Sequence, residues 1–339
     1  MAKKIRWGVL GAANIAITKV IPGMQQSELC DVAAIASRDL AKAQAAAKKL
    51  GIAKAYGSYE ELLADPEIDA IYNPLPNHLH VPWTTKAAEA GKHVLCEKPI
   101  GMTAAEATTL IAVRERTGVR IAEAFMVLCH PQWIRLRQLL RASAIGELRV
   151  VQGFFSYHNV DPANVRNQAE IGGGGLLDIG CYMVLAGRYG FEAEPLRVVA
   201  SIDRDKTMKT DRLTSAMMEF VGSNGATNQA VFTCSTQLVA YQRLEFLGTK
   251  GRIELEVPVN AAPERVARLN IDTGVDLYGG GMTTETFPIL DQYGLEGDAF
   301  SRAILENAEV PVPLEAAVKN MAVMDAIFRS ERSGMWEQV

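Results

Sequence analysis

An α/β fold in two parts is what this sequence predicts: a doubly wound parallel sheet first, then an α+β domain with a large open, mostly antiparallel sheet. Three observations predict it. Short apolar runs alternate with helix-forming stretches up to about residue 120. After Gly146 the apolar runs succeed one another through tight turns instead. The chain has 339 residues, beyond the roughly 250–300 at which a single core stops growing. The expected division is 1–122 and 123–339, with C-terminal helices free to pack back on the first part.

In the first part, Arg6 to Leu10 is an apolar run ending on Gly11. Asn14 to Met24 has helical spacing, interrupted by Pro22 and Gly23. Val32 to Ala36 reads as a second buried strand. Asp39 to Leu50, rich in Ala and Lys and stopped by Gly51, is a strong helix former, and Asp39 suits its N-cap. Ile68 to Tyr72 and His93 to Cys96 are further short strands, separated by a helical stretch from about Val81 to Ala90. Strands joined by crossover helices lie parallel.

In the second part, Leu148–Tyr157, Arg197–Ile202, Arg212–Phe220, Thr227–Leu238, Tyr241–Leu247 and Arg252–Val257 read as strands. Ser223-Asn224-Gly225 and Gly248-Thr249-Lys250-Gly251 are the turn signals among them. A helical patch from about Leu176 to Tyr189 interrupts the series, and helix periodicity returns from about Glu296 to Arg332.

Composition narrows the function. Lys and Arg number 35 against 39 Asp and Glu, a net charge of −4, and 48% of residues are hydrophobic. That excludes disorder and a broad nucleic-acid surface, so a small-molecule partner is expected. The five cysteines, at 30, 96, 129, 181 and 234, are far apart without a Cys-x-x-Cys pair. They point to a reducing compartment and mostly to small buried side chains. No apolar run approaches the ~18–20 residues of a membrane span. Met1-Ala2-Lys3-Lys4 leads into a strand instead of a signal-peptide core. The expected location is cytoplasmic. No His/Cys/Asp/Glu group has metal-ligand spacing.

Gly11-Ala12-Ala13-Asn14-Ile15-Ala16 joins the first strand to the first helix, where a dinucleotide pyrophosphate sits in a Rossmann domain. Against G-x-G-x-x-[G/A], the first Gly and last Ala fit and Ala13 replaces the second Gly. An ordinary strand-to-helix turn is the alternative. The second strand ends Ser37-Arg38 where an NAD site usually has Asp or Glu. A hydroxyl and a guanidinium suit a 2′-phosphate, so NADP is favoured and NAD left possible; a solvated Arg is the plain alternative.

Pro74, Leu75, Asn77 and His80 follow a strand end and face the cofactor or the cleft, or form a helix N-terminal turn with a surface imidazole. Glu97-Lys98-Pro99 follows another strand end, where doubly wound sheets bind ligands. Asp178 and Tyr182, four apart behind Gly172-Gly173-Gly174-Gly175, share a face of a helix starting near Leu176. The four glycines let another backbone or a ligand come close. Phe125 and Trp133 are aromatic groups able to wall a sugar. Arg166 is either a donor to substrate hydroxyls or a surface ion pair. His158 reads as structural.

The conjunction of Gly11–Ala16, Pro76–His80, Gly91–Pro99 and Gly174–Tyr182, in that order, resembles the glucose–fructose oxidoreductase/inositol dehydrogenase (Gfo/Idh/MocA) family. The resemblance extends to Tyr241-Gln242-Arg243 and Gly248–Glu254, essentially the whole chain. Many members carry His where this chain has Tyr182. Tyr182, Ala13 and Ser37-Arg38 resemble the branch of NADP-dependent D-xylose 1-dehydrogenases, dimeric dihydrodiol dehydrogenases and glucose–fructose oxidoreductase.

The resemblance implies that Lys98 and Tyr182 are the catalytic pair and Asp178 a substrate-positioning carboxylate. It also implies a cofactor site including Gly11, Ala12, Ala13, Asn14, Ile15, Ser37, Arg38, Pro74, Leu75, Asn77, His80, Glu97 and Lys98. Oxidising an alcohol removes a hydroxyl proton as hydride leaves the same carbon. A phenol with an ordinary pKa near 10 needs a neighbouring cation to act as base at neutral pH. The expected function is NADP-dependent oxidation of an aldose or a related polyol or cyclic alcohol. Trans-dihydrodiol oxidation and glucose–fructose-type oxidoreduction are alternatives in the same class. A catalytically silent NADP-binding regulator is the alternative outside it. A homodimer or homotetramer through the C-terminal sheet is expected, with Ala230–Cys234 as an apolar contact segment.

Overall fold

Six strands pair in parallel in the order β3-β2-β1-β4-β5-β6. They are β1 (Ile5–Leu10), β2 (Cys30–Ala36), β3 (Lys54–Tyr56), β4 (Ala70–Asn73), β5 (His93–Glu97) and β6 (Ile121–Ala124). This computed structural model describes residues 3–222 and 225–339. Met1-Ala2 and the Ser223-Asn224 of an expected turn lie outside the described residues. β1 is central, and Trp7, Val9 and Leu10 are wholly buried, as a strand covered on both faces requires. The strand order is that of the Rossmann fold.

The helices between these strands are α1 (Ile21–Gln25), α2 (Leu40–Leu50), α3 (Tyr59–Leu63), α4 (His80–Glu89) and α5 (Ala104–Thr117). Asp39 caps α2 as expected, accepting from the Ala41 and Lys42 backbone N–H groups at 3.0 and 3.3 Å. The expected Asn14–Met24 helix is a π-helical turn, Ala16–Val20, running into α1. Pro22 stands where that turn passes into α1.

The chain divides into two compact units: one runs through Cys129 and regains Asp291–Val318, and the other holds His130–Leu290 and Lys319–Val339. The sequence places the seam at 122; here the first unit continues past β6, whose Ala122 bridges Pro313. The returning helix α8 (Gln292–Leu305) belongs to the first core: Phe300 lies 5.5 Å from Trp7, and the Trp7 indole donates to Ser301 at 3.2 Å.

The second unit is built on nine strands. They are β7 (Leu148–His158), β8 (Arg197–Arg204), β9 (Asp211–Val221), β10 (Thr227–Ser235), β11 (Gln237–Gly248), β12 (Arg252–Leu255), β13 (Ala267–Asp272), β14 (Met282–Phe287) and β15 (Glu337–Gln338). Their order is β14-β13-β12-β11-β7-β10-β9-β8-β15. β10 and β7 run parallel and the other pairs antiparallel. The expected Thr227–Leu238 strand is two strands, broken where the Thr236 N–H turns to the Arg212 carbonyl. The helices are α6 (Pro131–Arg141), α7 (Cys181–Phe191) and the larger part of α9 (Leu314–Ser333).

α7 lies so close to the sheet that a Cβ at Gly187 would stand 2.9 Å from that of Ala230. On β10, Ala230, Phe232 and Cys234 point to this side and are buried. The apolar segment expected to meet another subunit is therefore mostly internal. Ala169–Phe191 is long and apolar enough to cross a bilayer by composition, but 72% of its apolar window is buried inside the protein. Its apolarity belongs to a core helix.

Candidate active site

In the first unit, candidate residues gather at the carboxyl ends of the parallel strands. Gly11 ends β1 with φ +84°, donating its N–H to the Ala36 carbonyl at 2.7 Å, and a Cβ there would press on Leu75 at 3.0 Å. A side chain is thus excluded where the turn is tightest. Ala12, Ala13 and Ile15 are half-buried and Asn14 is exposed along the turn. At the end of β2 the buried Ser37 hydroxyl accepts the Asp39 N–H at 3.2 Å, and Arg38 is exposed. The Arg38 charge bears on the Tyr59 phenol, whose ring meets Trp83 edge-on at 4.7 Å. A backbone turn, a hydroxyl and an exposed guanidinium form a donor set that fits a phosphorylated dinucleotide.

Beyond β4 and β5 the sequence places Pro74, Leu75, Asn77, His80, Glu97 and Lys98 together, and the structure shows how several are held. His80 is buried between two carbonyls, Nδ1 at 2.7 Å from Pro99 O and Nε2 at 2.6 Å from Leu75 O. It joins the two loops and does not present an open imidazole. Both carbonyls favour the imidazolium; complete burial opposes it and wins, bringing His80 down to about 4. Glu97 accepts the Tyr72 phenol at 2.5 Å, and Lys98 follows it half-buried. Glu296 on α8, buried and facing the Glu97 charge, is held well above the ordinary carboxylate range. Phe125 is 1% exposed, a core residue of this unit.

In the second unit, Asp178 is the hub. Tyr157, near the end of β7, donates its phenol to Asp178 Oδ2 at 2.6 Å. Arg166 Nε lies 3.0 and 3.1 Å from the two carboxylate oxygens. Burial and the Asp178 charge push the Tyr157 phenol far up, so it stays protonated as the donor. Asp178 sits in a π-helical turn, Leu176–Gly180, that runs straight into α7. The helix expected near Leu176 is thus present, with one widened turn of a kind frequent at functional sites. Tyr182 lies in the first turn of α7, 4% exposed, its ring 6.2 Å from Phe155. Asp211, on β9, accepts the Leu176 N–H at 2.5 Å.

One sequence expectation changes here, and one alternative left open is observed. Trp133 does not wall a cleft: it is fully buried, its indole donates to Pro258 O at 2.7 Å, and its ring meets Tyr189 at 5.3 Å. Arg166 is an ion-pair partner, but of Asp178 itself. Sequence reasoning missed Tyr157, Asp211 and Glu296. Each is an isolated polar residue in a strand or helix pattern, with no motif to single it out. Among the described residues no group of three or more His, Cys, Asp or Glu is arranged to hold a metal.

A Rossmann sheet with this turn, followed by a large sheet whose helix carries Asp and Tyr, defines a class: two-domain dinucleotide-dependent oxidoreductases. The comparisons specify it further. Residues 5–125 match the model of an oxidoreductase family with an NAD-binding Rossmann fold, and residues 133–254 match the GFO/IDH/MocA C-terminal domain. The chain belongs to the Gfo/Idh/MocA oxidoreductase family. It is 47% identical to an uncharacterized oxidoreductase, ORF334, of Rhizobium meliloti, covering 99% of each chain. It is 40% identical to D-xylose 1-dehydrogenase (NADP(+)) 2 of Haloferax volcanii, covering 97% of this chain and 98% of that one. Among solved structures it is similar to the 3-ketoreductase KijD10 of Actinomadura kijaniata, in complex with NADP and TDP-benzene. There the TM-score is 0.87 and the identity 29%, over 97% of this chain and 98% of the other.

Proposed function

We propose that this oxidoreductase uses NADP and oxidises an aldose at C1, or a related polyol or cyclic alcohol. The observation that carries the substrate class is Asp178: its charge is already balanced by Arg166, and Tyr157 donates to it. A charge-balanced carboxylate accepts hydrogen bonds from uncharged hydroxyls without demanding a cationic ligand. The likeness to the Haloferax D-xylose dehydrogenase supports the same class. For the cofactor, Arg38 and Ser37 supply the donors that a 2′-phosphate needs, where an acidic residue would repel it. When bound, the nicotinamide accepts hydride.

The chain's own residues do the rest. Tyr182 takes the proton of the reacting hydroxyl, Lys98 supplies positive charge that favours the phenolate, and Asp178 orients a neighbouring hydroxyl. The test is NADP reduction, followed by near-ultraviolet absorbance, with a panel of aldoses and diols. Turnover of an aldose supports the reading; tight NADP binding with no turnover of any supports a silent regulator. The likeness to KijD10 favours a second reading, reduction of a keto sugar carried on a nucleotide, read as NADPH consumption.

Self-association through the second unit's sheet belongs to the same reading. The outward face carries Phe154, Met217, Val231, Thr233, Tyr241 and Arg243 around a cavity of about 660 Å³. Such a mixed face suits a second copy of itself. Light scattering of the purified protein checks it, a monomer counting against it.

A further inference from the structure

Among the buried groups that this chemistry does not use, Asp211 has the most defined surroundings. It opens β9 and is 1% exposed. Its Oδ2 accepts the Leu176 N–H at 2.5 Å and the Thr214 hydroxyl at 3.2 Å. Leu176 begins the π-helical turn that holds Asp178, and α7 with Tyr182 follows unbroken. Gly174 has φ +128°, and a Cβ there would stand 2.0 Å from Asp211 Oδ1; one at Gly175 would stand 3.4 Å from Oδ2. Gly174, the third of the four glycines, therefore admits this carboxylate to the start of the helical segment.

We propose that Asp211 is a positioning residue: its carboxylate fixes the first turn of the segment and so the placing of Asp178 and Tyr182. The inference rests on the roles proposed for those two residues. A helix start leaves N–H groups without intrahelical partners, and a carboxyl oxygen of Asp211, neutral or charged, accepts from one of them. Three titratable neighbours bear on its charge: Arg204 across the β8–β9 pair, Tyr157 on β7 and Cys234 on β10. Burial outweighs Arg204 and the hydrogen bonds, and the carboxyl is pushed up to about 6.

The closed turn thus holds this proton more tightly than an opened, hydrated one with the ordinary value of 3.8. Closure is firmest below 3.8 and loosens as pH rises through about 6.

The test is amide hydrogen exchange by mass spectrometry on the full chain with NADP, reading peptides across Gly174–Tyr182. Asp211→Ala is expected to speed exchange there roughly tenfold or more, with β1 peptides unchanged as the folding control. Asp211→Asn keeps an acceptor and restores most of the protection. Between pH 5 and 7 the unmodified protein loses about tenfold in protection after correction for intrinsic rates, whereas Asp211→Asn stays flat. With D-xylose, Asp211→Ala lowers kcat and leaves the NADP KM unchanged. Unchanged exchange in Asp211→Ala, or the same pH dependence in Asp211→Asn and the unmodified protein, overturns the proposal. The expected exchange pattern in a protein that turns over no sugar upholds the anchor and overturns the substrate reading alone.

Discussion

The Tyr157 phenol donates to Asp178 at 2.6 Å, from a strand to the π-helical turn four residues ahead of Tyr182. The acceptor is an ionised group paired with Arg166, so the bond is charge-assisted.

Tyr157→Phe removes that donor and leaves the ring. We expect kcat/KM for an aldose to fall about tenfold, the loss of one hydrogen bond to a charged group. The NADP KM stays the same, because the cofactor residues belong to the first unit. Steady-state kinetics with each substrate varied separately checks it.

We propose that Arg38 sets cofactor choice. Arg38→Ala is expected to raise the NADP KM roughly 10–100-fold, the weight of a guanidinium–phosphate contact, and to alter the NAD KM by less than about threefold. Equal effects on both cofactors would assign Arg38 a structural role through Tyr59.

His80 gives a stability change of known sign. Its folded value of about 4 lies below the ordinary 6.5, so the unfolded chain binds the proton first as pH falls. The stability it contributes is full above 6.5 and is lost as pH falls toward 4, about 3 kcal/mol for the whole shift. Urea unfolding at pH 7 and pH 5 should show a larger acid loss in the unmodified protein than in His80→Gln. An imidazolium held by its two carbonyls would show no such difference.

Much of the fold is legible in the sequence. β1 and β2 announce themselves because central parallel strands are apolar on both faces, and Asp39 and Gly51 mark the ends of α2 by capping chemistry alone. β13 and β14 do not, since Met282–Phe287 is a polar edge strand with no apolar alternation. α8 reads as helix, but which core it joins depends on Phe300 meeting Trp7, nearly three hundred residues away in sequence. At the site, Lys98, Asp178 and Tyr182 stand out through their motifs. Tyr157 and Asp211 do not, because their importance comes from partners that only folding supplies. Trp133 misled for the same reason: an aromatic near a motif looks like a wall until its indole is seen bonded to Pro258.

The proposed chemistry depends on Tyr182 as the base in NADP-dependent sugar oxidation. The direct measurement is NADP reduction by the purified protein with D-xylose, alongside Tyr182→Phe with its cofactor affinity verified. Turnover is expected in the unmodified protein, with a fall in kcat of roughly 10²–10⁴-fold in the variant, the usual contribution of acid–base assistance. Near-normal turnover by Tyr182→Phe with NADP bound would contradict it.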